Sequence, residues 1–276
     1  RYAPAQGVPA LREALAAREN ARAGSCLGAE DILVTPGGKF ALLAALMGVV
    51  EAGDEVIVPA PGWVSYEPCV RLCGGVPVAL PMLDRVDPGR LAALVTPRTV
   101  AIILNSPVNP TGRVLTAVEI AAVLELAERH DLWIIFDQVY ADLAHAPEFA
   151  RPHASPAGQA RTLVVDSFSK TFGMTGWRLG FLGMPPGTAR AIGRFMQHSV
   201  YCVPGFVQAA GLAALSLEEE LVPGYRARFR ARQARAKEEL ERIPGVSCRL
   251  PDAGFYLFPR VAGDDRQVAA RWLEAR

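Results

Sequence analysis

The chain has 276 residues, of which 51% are apolar and 21% charged, and it carries a net charge of +1. This length and composition indicate a globular protein with a sizeable core, built as one large domain and part of another. Its dispersed charges argue against nucleic-acid and membrane-surface partners, and no apolar run is long enough to span a bilayer. Five scattered cysteines and four separate histidines indicate free thiols in a reducing cytoplasm and no metal site.

Apolar patterns predict strands that alternate with helices along most of the chain. The predicted strands cover residues 31–35, 55–59, 76–81, 99–104, 132–136, 161–165, 179–184, 246–250 and 255–258. The predicted helices cover a segment around Leu11 and Leu15 and residues 39–50, 61–73, 88–95, 117–130, 187–198, 205–216, 218–242 and 266 onward. This alternation predicts an α/β fold with a mostly parallel sheet. A change to a charged helix after residue 217 predicts two domains, 1–217 and 218–276.

A lysine follows the predicted strand 161–165, in the stretch VVDSFSKTFGMTGWRLG. Ser167 and Ser169 precede Lys170, and Arg178 lies further along the same stretch. A lysine amine can form a Schiff base with a carbonyl, while hydroxyls and a guanidinium bind phosphate. Pyridoxal phosphate (PLP) carries both groups on one ring. Taken alone, a short S-x-S-K stretch is more typical of a surface loop.

Polar residues also follow other predicted strands. Gly37, Gly38 and Lys39 open the helix after the first strand, where unpaired N–H groups attract anions. This triplet alone is a weak phosphate motif, and it lacks the spacing of a P-loop. Asn109 lies in a turn after a buried strand, where open α/β sheets bind ligands. Asp137 ends another strand and, by itself, is more typical of a helix cap or a turn.

The chain resembles the class I aminotransferases of PLP fold type I over nearly its whole length. Six motifs carry the resemblance, in the order of that family: TPGGKFALLAAL, GDEVIVPAPGWVSY, NSPVNPTG, DQVY, SFSKTFGMTGWRLG and PDAGFYLFP. The similarity is greatest to the prokaryotic aspartate and aromatic branch. It implies a mostly parallel central sheet in an α/β/α large domain, joined to part of a small α+β domain. It also implies PLP as the cofactor.

The resemblance implies a role for each residue that matches a family motif. Lys170 is expected to bind PLP as a Schiff base and to move the substrate proton once the incoming amino acid frees it. Asp137 is expected to pair with the pyridine nitrogen, so that the ring accepts electrons. Asn109 and Tyr140 are expected to donate to the phenolate oxygen, with Asn109 also near the substrate. Trp63 is expected to stack on the ring, although a core aromatic is an equal alternative from the residue alone.

The family resemblance also implies a phosphate site and a second subunit. The expected phosphate ligands are the N–H groups of Gly37, Gly38 and Lys39, the hydroxyls of Ser167 and Ser169, and Arg178. Tyr2 matches a tyrosine that reaches the phosphate of the partner subunit, which implies a homodimer with shared active sites. Lys39 matches a lysine for the distal carboxylate of the substrate, with a backbone-only role as the alternative. Weaker candidates for substrate selection are Gln197, His198 and Tyr201.

Two features depart from the family pattern. Gln138 follows the strand aspartate where the family usually has glutamate, and little effect is expected because Asp137 is the chemical group. The chain is also expected to be truncated at both ends, since the arginine that binds the substrate α-carboxylate has no matching motif. Three arginines lie too early to take that role: Arg260, Arg271 and Arg276.

The favoured interpretation is an aminotransferase that moves an amino group from an aspartate-like or aromatic L-amino acid to a 2-oxo acid. Three alternatives share the same motifs. They are a PLP-dependent lyase for β-elimination or Cα–Cβ cleavage, a truncated PLP-binding protein without efficient transamination, and the PLP-binding sensor domain of a transcription regulator. The sequence contains no winged-helix segment and is nearly neutral, which disfavours the regulator.

Overall fold

The computed structural model describes residues 2–145 and 149–274, so Arg276 lies outside the described part. The strands are β1 Ile32–Thr35, β2 Glu55–Ala60, β3 Val76–Pro81, β4 Thr99–Asn105, β5 Trp133–Asp137, β6 Thr162–Ser167, β7 Gly180–Gly183, β8 Val246–Ser247 and β9 Arg260–Val261. The helices are α1 Pro9–Ala23, α2 Gly38–Val49, α3 Tyr66–Leu72, α4 Pro88–Ala93, α5 Ala117–Arg129, α6 Pro156–Gln159, α7 Phe168–Thr171, α8 Ala189–Ser199, α9 Gly205–Ser216, α10 Glu218–Glu241 and α11 Asp265–Glu274. Short 3₁₀ turns occur at Ala29–Asp31, Ala141–Leu143 and Pro152–Ala154.

Seven strands form one sheet in the order β1-β7-β6-β5-β4-β2-β3. Strand β7 pairs antiparallel with both of its neighbours, whereas β3, β2, β4, β5 and β6 run parallel to one another. Nearly continuous apolar runs form the central strands, as expected when helices cover both faces of a sheet. The predicted α/β fold with a mostly parallel sheet is confirmed.

The two faces of the sheet pack into two separate apolar clusters. In β4, Ala101 and Ile103 belong to one cluster, while Ile102 and Leu104 belong to the other. This alternation follows from the two-residue period of a strand. The first cluster also contains side chains of α1, α2 and α8, and the second contains those of α4 and α5. The result is a helix–sheet–helix arrangement of three layers.

The parallel register brings several strand ends to one edge of the sheet. Asn105 at the end of β4 lies beside Asp137 at the end of β5, and Asp137 lies beside Val165 in β6. The turns that follow these strands carry Asn109, Tyr140 and Lys170 respectively. Ligands of open α/β sheets bind at such an edge.

Two predicted elements differ from the structure. The helix predicted for residues 61–73 begins only at Tyr66, because residues 61–65 form a turn that starts at a proline and a glycine. The strand predicted for 255–258 is wrong, since the second strand of the small sheet is β9 and its partner is β8. The segment before β9 instead bonds to two loops: Ala253 N donates to Gly112 O, and Gly254 N donates to Leu143 O. An alternating apolar pattern cannot distinguish these two kinds of backbone pairing.

The remaining strands and helices are confirmed, with ends that shift by a few residues. Helix α10 begins at Glu218, beside the predicted domain boundary, and that boundary stays a prediction. Among the described residues, no helix combines the length and apolar character needed to cross a bilayer.

Candidate active site

A cavity of about 200 Å³ lies at the edge of the sheet where these strands end. All the predicted cofactor-site residues except Gly37 and Tyr2 line this cavity. Tyr66, Thr175 and Tyr256 also line it, and the sequence did not predict them. The cavity is smaller than the pockets of roughly 300–1,000 Å³ that hold drug-sized ligands, so it suits one small ring.

Lys170 lies on the short helix α7, directly after β6. The side chain of Ser167 accepts the Ser169 N–H at 3.1 Å and so begins this helix at the strand end. Lys170 Nζ lies 5.8 Å from the centre of the Tyr140 ring and 5.2 Å from that of Phe255. These aromatic walls hold the half-buried amine at the cavity.

Asp137 is a buried carboxylate in the floor of the cavity. Burial raises its pKa to about 6, against the opposing effect of the Tyr66 hydroxyl and the Val139 N–H. Tyr66 donates to Asp137 Oδ2 at 2.7 Å, and Val139 N donates to Oδ1 at 3.2 Å. A cationic N–H group facing the cavity would supply the positive charge that this carboxylate lacks.

Sequence reasoning missed Tyr66 because the contact spans two distant segments. The available signal was its place at the start of α3, which follows β2 at the same edge of the sheet. A helix start after a parallel strand lies near the other strand ends. A tyrosine at such a position is therefore a candidate donor to any carboxylate there.

The opposite side of the cavity presents donors for an anion. Helix α2 begins there, at Gly38, with its backbone N–H groups. The hydroxyls of Ser167 and Ser169 lie 2.9 Å apart, with Ser167 Oγ as the donor. The Arg178 guanidinium is held by a bond of 2.9 Å from Nη1 to Thr175 O. Gly37 has a φ of 88°, and a Cβ atom at that position would lie 2.5 Å from Arg178 Nη2. The absence of a side chain thus lets the guanidinium approach the helix start. A helix N-terminus, two hydroxyls and a guanidinium together suit a phosphate.

Trp63 and Lys39 lie against each other at the side of the cavity. Lys39 Nζ lies 5.1 Å from the centre of the Trp63 ring, within the range of a cation–π contact. The Trp63 ring also meets the Tyr66 ring edge-on, with centres 5.5 Å apart. The indole therefore contacts both an aromatic ring and an amine.

Asn109 and Tyr140 complete the cavity wall near Lys170. Asn105 Oδ1 accepts the Asn109 N–H at 2.6 Å, and Asn105 Nδ2 donates to Asp137 O at 3.0 Å. Asn105 therefore ties the turn that carries Asn109 to the end of β5. Burial raises the pKa of Tyr140, and the Tyr256 hydroxyl oxygen lies 3.1 Å from that of Tyr140. Tyr140 consequently stays a hydrogen-bond donor at any physiological pH.

Several predicted residues lie elsewhere in the described chain. Tyr2 is 85% exposed and meets the Tyr201 ring edge-on, with ring centres 5.3 Å apart. The other candidates for substrate selection, Gln197 and His198, are exposed and do not line the cavity. Arg260 and Arg271 are also exposed and outside the cavity lining.

Behind the cavity lies a buried ionic cluster formed by Arg18, Glu19, Arg22, Asp142, Asp166 and Glu218. Gln138 belongs to this side: its amide donates to Glu19 Oε2 at 2.9 Å and to Asp166 Oδ2 at 3.4 Å. Burial raises the pKa of Asp166 to about 7. The positive charge of Arg18 lowers this pKa, whereas the carboxylates of Asp142 and Glu19 raise it further. Burial acts in the same direction on Asp142, but Arg18 and Arg22 hold its pKa at about 2.

The ionic cluster contacts the lysine turn directly. Thr171, the residue after Lys170, donates its hydroxyl to Asp142 Oδ2 at 2.7 Å. Arg18 Nη2 bonds to the same oxygen at 2.7 Å. Helix α1 therefore fixes the turn that carries Lys170 through one buried carboxylate.

The side chains of the cavity match the chemical groups of PLP. An amine is available for its aldehyde, a buried carboxylate for its ring nitrogen, and the anion site of α2 and Arg178 for its phosphate. The lack of a side chain at Gly37 supports this fit, because a Cβ atom there would displace the Arg178 guanidinium from the anion site.

Comparison with known proteins gives the same family from sequence and from structure. The profile of the family "Aminotransferase class I and II" matches residues 1–275. The aspartate aminotransferase of Musicola paradisiaca (strain Ech703) is 36% identical over 287 residues, covering 99% of this chain and 71% of the relative. The aspartate/prephenate aminotransferase of Thermus thermophilus is 36% identical, and the match covers 100% of this chain and 73% of the relative.

The structural comparison agrees. A structure of the Thermus thermophilus aspartate aminotransferase with maleate superimposes with a TM-score of 0.94 at 35% identity, covering 100% of this chain and 74% of that one. These matches favour transamination over the lyase, sensor-domain and non-catalytic alternatives. The chain therefore belongs to the class I and II aminotransferases and is a PLP-dependent aminotransferase of fold type I.

Proposed function

We propose that this aminotransferase takes its amino group from an aspartate-like or aromatic L-amino acid, and that Lys170 is the residue that binds the cofactor covalently. The observation that carries the proposal is one small cavity that holds the Lys170 amine, the Asp137 carboxylate and the Arg178 guanidinium. These three groups match the three reactive ends of PLP. When bound, PLP supplies an electron sink for the substrate Cα.

The residues of the cavity divide the remaining work. Lys170, once displaced by the substrate amine, is the base that removes the proton from the substrate Cα and holds it on Nζ. Asp137 stays ionised above a pH of about 6, with Tyr66 and Val139 N–H as its donors, and holds the ring nitrogen in its protonated form. Tyr140 and Asn109 would hold bound PLP by donating to its phenolate oxygen.

The anion site anchors the phosphate away from the reacting atoms. Arg178 offers two parallel N–H groups, which suit a phosphate dianion better than a point charge. Ser167, Ser169 and the backbone N–H groups of Gly37, Gly38 and Lys39 complete the proposed set of ligands. Trp63 is proposed to cover one face of the ring.

The choice of substrate rests on Lys39 and on the relatives. Lys39 Nζ lies at the cavity beside Trp63, where an amine can bind the distal carboxylate of an acidic amino acid. The matched proteins of Musicola paradisiaca and Thermus thermophilus carry the names aspartate and aspartate/prephenate aminotransferase. A dicarboxylic or aromatic donor is therefore the proposed class, with a 2-oxo acid as acceptor.

Absorbance spectroscopy tests the covalent role of Lys170. Purified protein with PLP should show the band of lysine-bound PLP, and this band should be absent from Lys170→Ala and present in the control Lys237→Ala on α10. Addition of L-aspartate or L-phenylalanine should then release the matching 2-oxo acid in one turnover, detected by chromatography. A band that survives in Lys170→Ala would sink the assignment, and release of ammonia in place of amine transfer would favour the lyase alternative.

We also propose a homodimer in which Tyr2 reaches the phosphate site of the partner subunit. The support is that Tyr2 is 85% exposed and lies outside the cavity of its own chain. Mixed dimers of Tyr2→Phe and Lys170→Ala subunits test this, because one of their two sites should lack both groups while the other is intact.

Cell fractionation tests the proposed cytoplasmic location, which the five free cysteines support.

A further inference from the structure

Two tyrosine hydroxyls meet at the edge of the cavity. Tyr140, after strand β5, and Tyr256, before strand β9, both line the cavity beside Lys170. Their hydroxyl oxygens lie 3.1 Å apart, and their ring centres 5.8 Å apart at an angle of 65°. Tyr140 is buried and Tyr256 is half-buried. The roles proposed above make no use of Tyr256.

The backbone around Tyr256 is held from two sides. Gly254 N donates to Leu143 O at 3.1 Å, which ties the segment to the loop after Tyr140. From helix α10, the buried Gln233 donates Nε2 to Gly254 O at 3.1 Å and to Tyr256 O at 3.3 Å. The position of the Tyr256 hydroxyl is therefore set by the fold before any ligand binds, which lowers the entropic cost of its hydrogen bond.

The direction of the bond between the two hydroxyls decides what Tyr140 can do. Each hydroxyl has one proton to donate and lone pairs to accept. If Tyr140 donates to Tyr256, no proton remains for a ligand in the cavity. If Tyr256 donates to Tyr140, the Tyr140 proton can point into the cavity. In such a chain each hydrogen bond strengthens the next by about a fifth.

We propose that Tyr256 is a positioning residue that donates its proton to the Tyr140 hydroxyl and so directs the Tyr140 proton toward the phenolate oxygen of PLP. The inference rests on the proposed function, because it requires PLP bound to Lys170. A stronger bond from Tyr140 withdraws negative charge from the phenolate oxygen. The protonated nitrogen of the lysine linkage then loses part of the charge that stabilises it, so the pKa of the linkage falls.

A spectroscopic titration of the holoenzyme measures this pKa without any turnover. In Tyr256→Phe the pKa of the lysine–PLP linkage should rise by about 0.2–0.4 unit, which is about a fifth of the effect of one hydrogen bond to a charged group. Tyr225→Phe makes the same chemical change on α10 outside the cavity lining and should leave the pKa unchanged. A purely structural role for Tyr256 would lower thermal stability without moving the titration.

The double variant separates action through Tyr140 from direct action on the ligand. Tyr140→Phe should raise the pKa by at least as much as Tyr256→Phe, and Tyr256→Phe should add nothing further in the Tyr140→Phe background. The inference would be overturned if the pKa shifts of the two single variants added in the double variant, or if Tyr256→Phe left the pKa unchanged. In either case a titrating band in the wild-type holoenzyme would still support the proposed function. A wild-type holoenzyme without a titrating band would instead overturn the proposed function, and the inference with it.

Discussion

Replacing Gln138 with glutamate tests the charge balance of the buried ionic cluster. The amide of Gln138 donates to Glu19 Oε2 at 2.9 Å and to Asp166 Oδ2 at 3.4 Å. Glutamate has nearly the same shape, and its other oxygen can still accept the bond from Arg151 Nε at 3.3 Å. The substitution therefore changes one atom, the amide nitrogen, into an oxygen that faces two carboxylates.

The size of the effect follows from the proton that the new group must keep. Two carboxylates about 3 Å apart repel each other by about 5 kcal/mol at an effective dielectric constant of about 20. A carboxyl group avoids this repulsion by staying protonated, which costs a glutamate of ordinary pKa about 3.7 kcal/mol at pH 7. The protonated group still donates to Glu19, which offsets part of the cost. We expect a loss of about 2–4 kcal/mol in the free energy of unfolding at pH 7.

The loss has a defined pH dependence. The new carboxyl group keeps its proton in the folded state, whereas in the unfolded chain it ionises above its ordinary pKa of about 4.3. The folded state then binds more protons than the unfolded state. Each pH unit above this value therefore lowers stability by about 1.4 kcal/mol until the folded-state pKa is reached. At pH 5 the loss should shrink to about 1 kcal/mol.

Urea unfolding of wild type and Gln138→Glu at pH 5 and pH 8 measures both quantities, with circular dichroism as the signal. Gln267→Glu is the matched control, because this glutamine is exposed on α11 and its replacement should change stability by less than about 0.5 kcal/mol. An equal loss at both pH values, or no loss, would refute the reasoning. Either result would mean that Glu19 does not face residue 138 as a charge.

Two substitutions act on the cavity itself, and equilibrium dialysis against PLP between pH 5 and pH 9 measures both. Gly37→Ala should weaken PLP binding by about tenfold or more, because a Cβ atom would lie 2.5 Å from Arg178 Nη2 and the φ of 88° disfavours alanine. Gly53→Ala is the control, since Gly53 has a similar φ of 92° but a Cβ atom there would meet nothing within 4 Å. Equal losses of PLP affinity in the two variants would exclude the contact with Arg178 as the cause. Burial raises the pKa of Asp137 to about 6 and Tyr66 opposes this, so PLP binding should weaken below that pH. Tyr66→Phe should move the midpoint upward by about 1–2 units, and an unmoved midpoint would contradict the role of Tyr66.

The sequence predicted the strands and the residues at their ends for one physical reason. Strands covered on both faces are continuous apolar runs, so the first polar residue after each run marks the edge of the sheet. Asp137 is this residue at the end of β5, Lys170 lies on the short helix that follows the polar end of β6, and the structure places both at one cavity. The division into two domains at residue 217 and the contact of Tyr2 with a partner subunit stay predictions.

The contacts between distant segments could not be predicted from local patterns. Tyr66 bonds to Asp137 across 71 residues, and Tyr140 meets Tyr256 across 116 residues. Neither tyrosine contact has a signal of period or spacing, because each depends on how separate loops pack. The same holds for Gln138, whose neighbour Glu19 lies on α1, 119 residues away.

The cavity and the ionic cluster lie back to back, because adjacent residues at a strand end point to opposite sides. Asp137 faces the cavity while Gln138 faces the cluster, and at the end of β6 Ser167 lines the cavity while Asp166 belongs to the cluster. A charge imbalance behind the sheet must therefore move backbone that carries cofactor ligands. We expect Gln138→Glu to weaken PLP binding although residue 138 does not line the cavity. Leu126→Ala removes core side-chain atoms on α5 at a similar cost in stability and should leave PLP binding unchanged. Equal PLP affinities of the two variants at matched stability would show that the cluster serves folding alone.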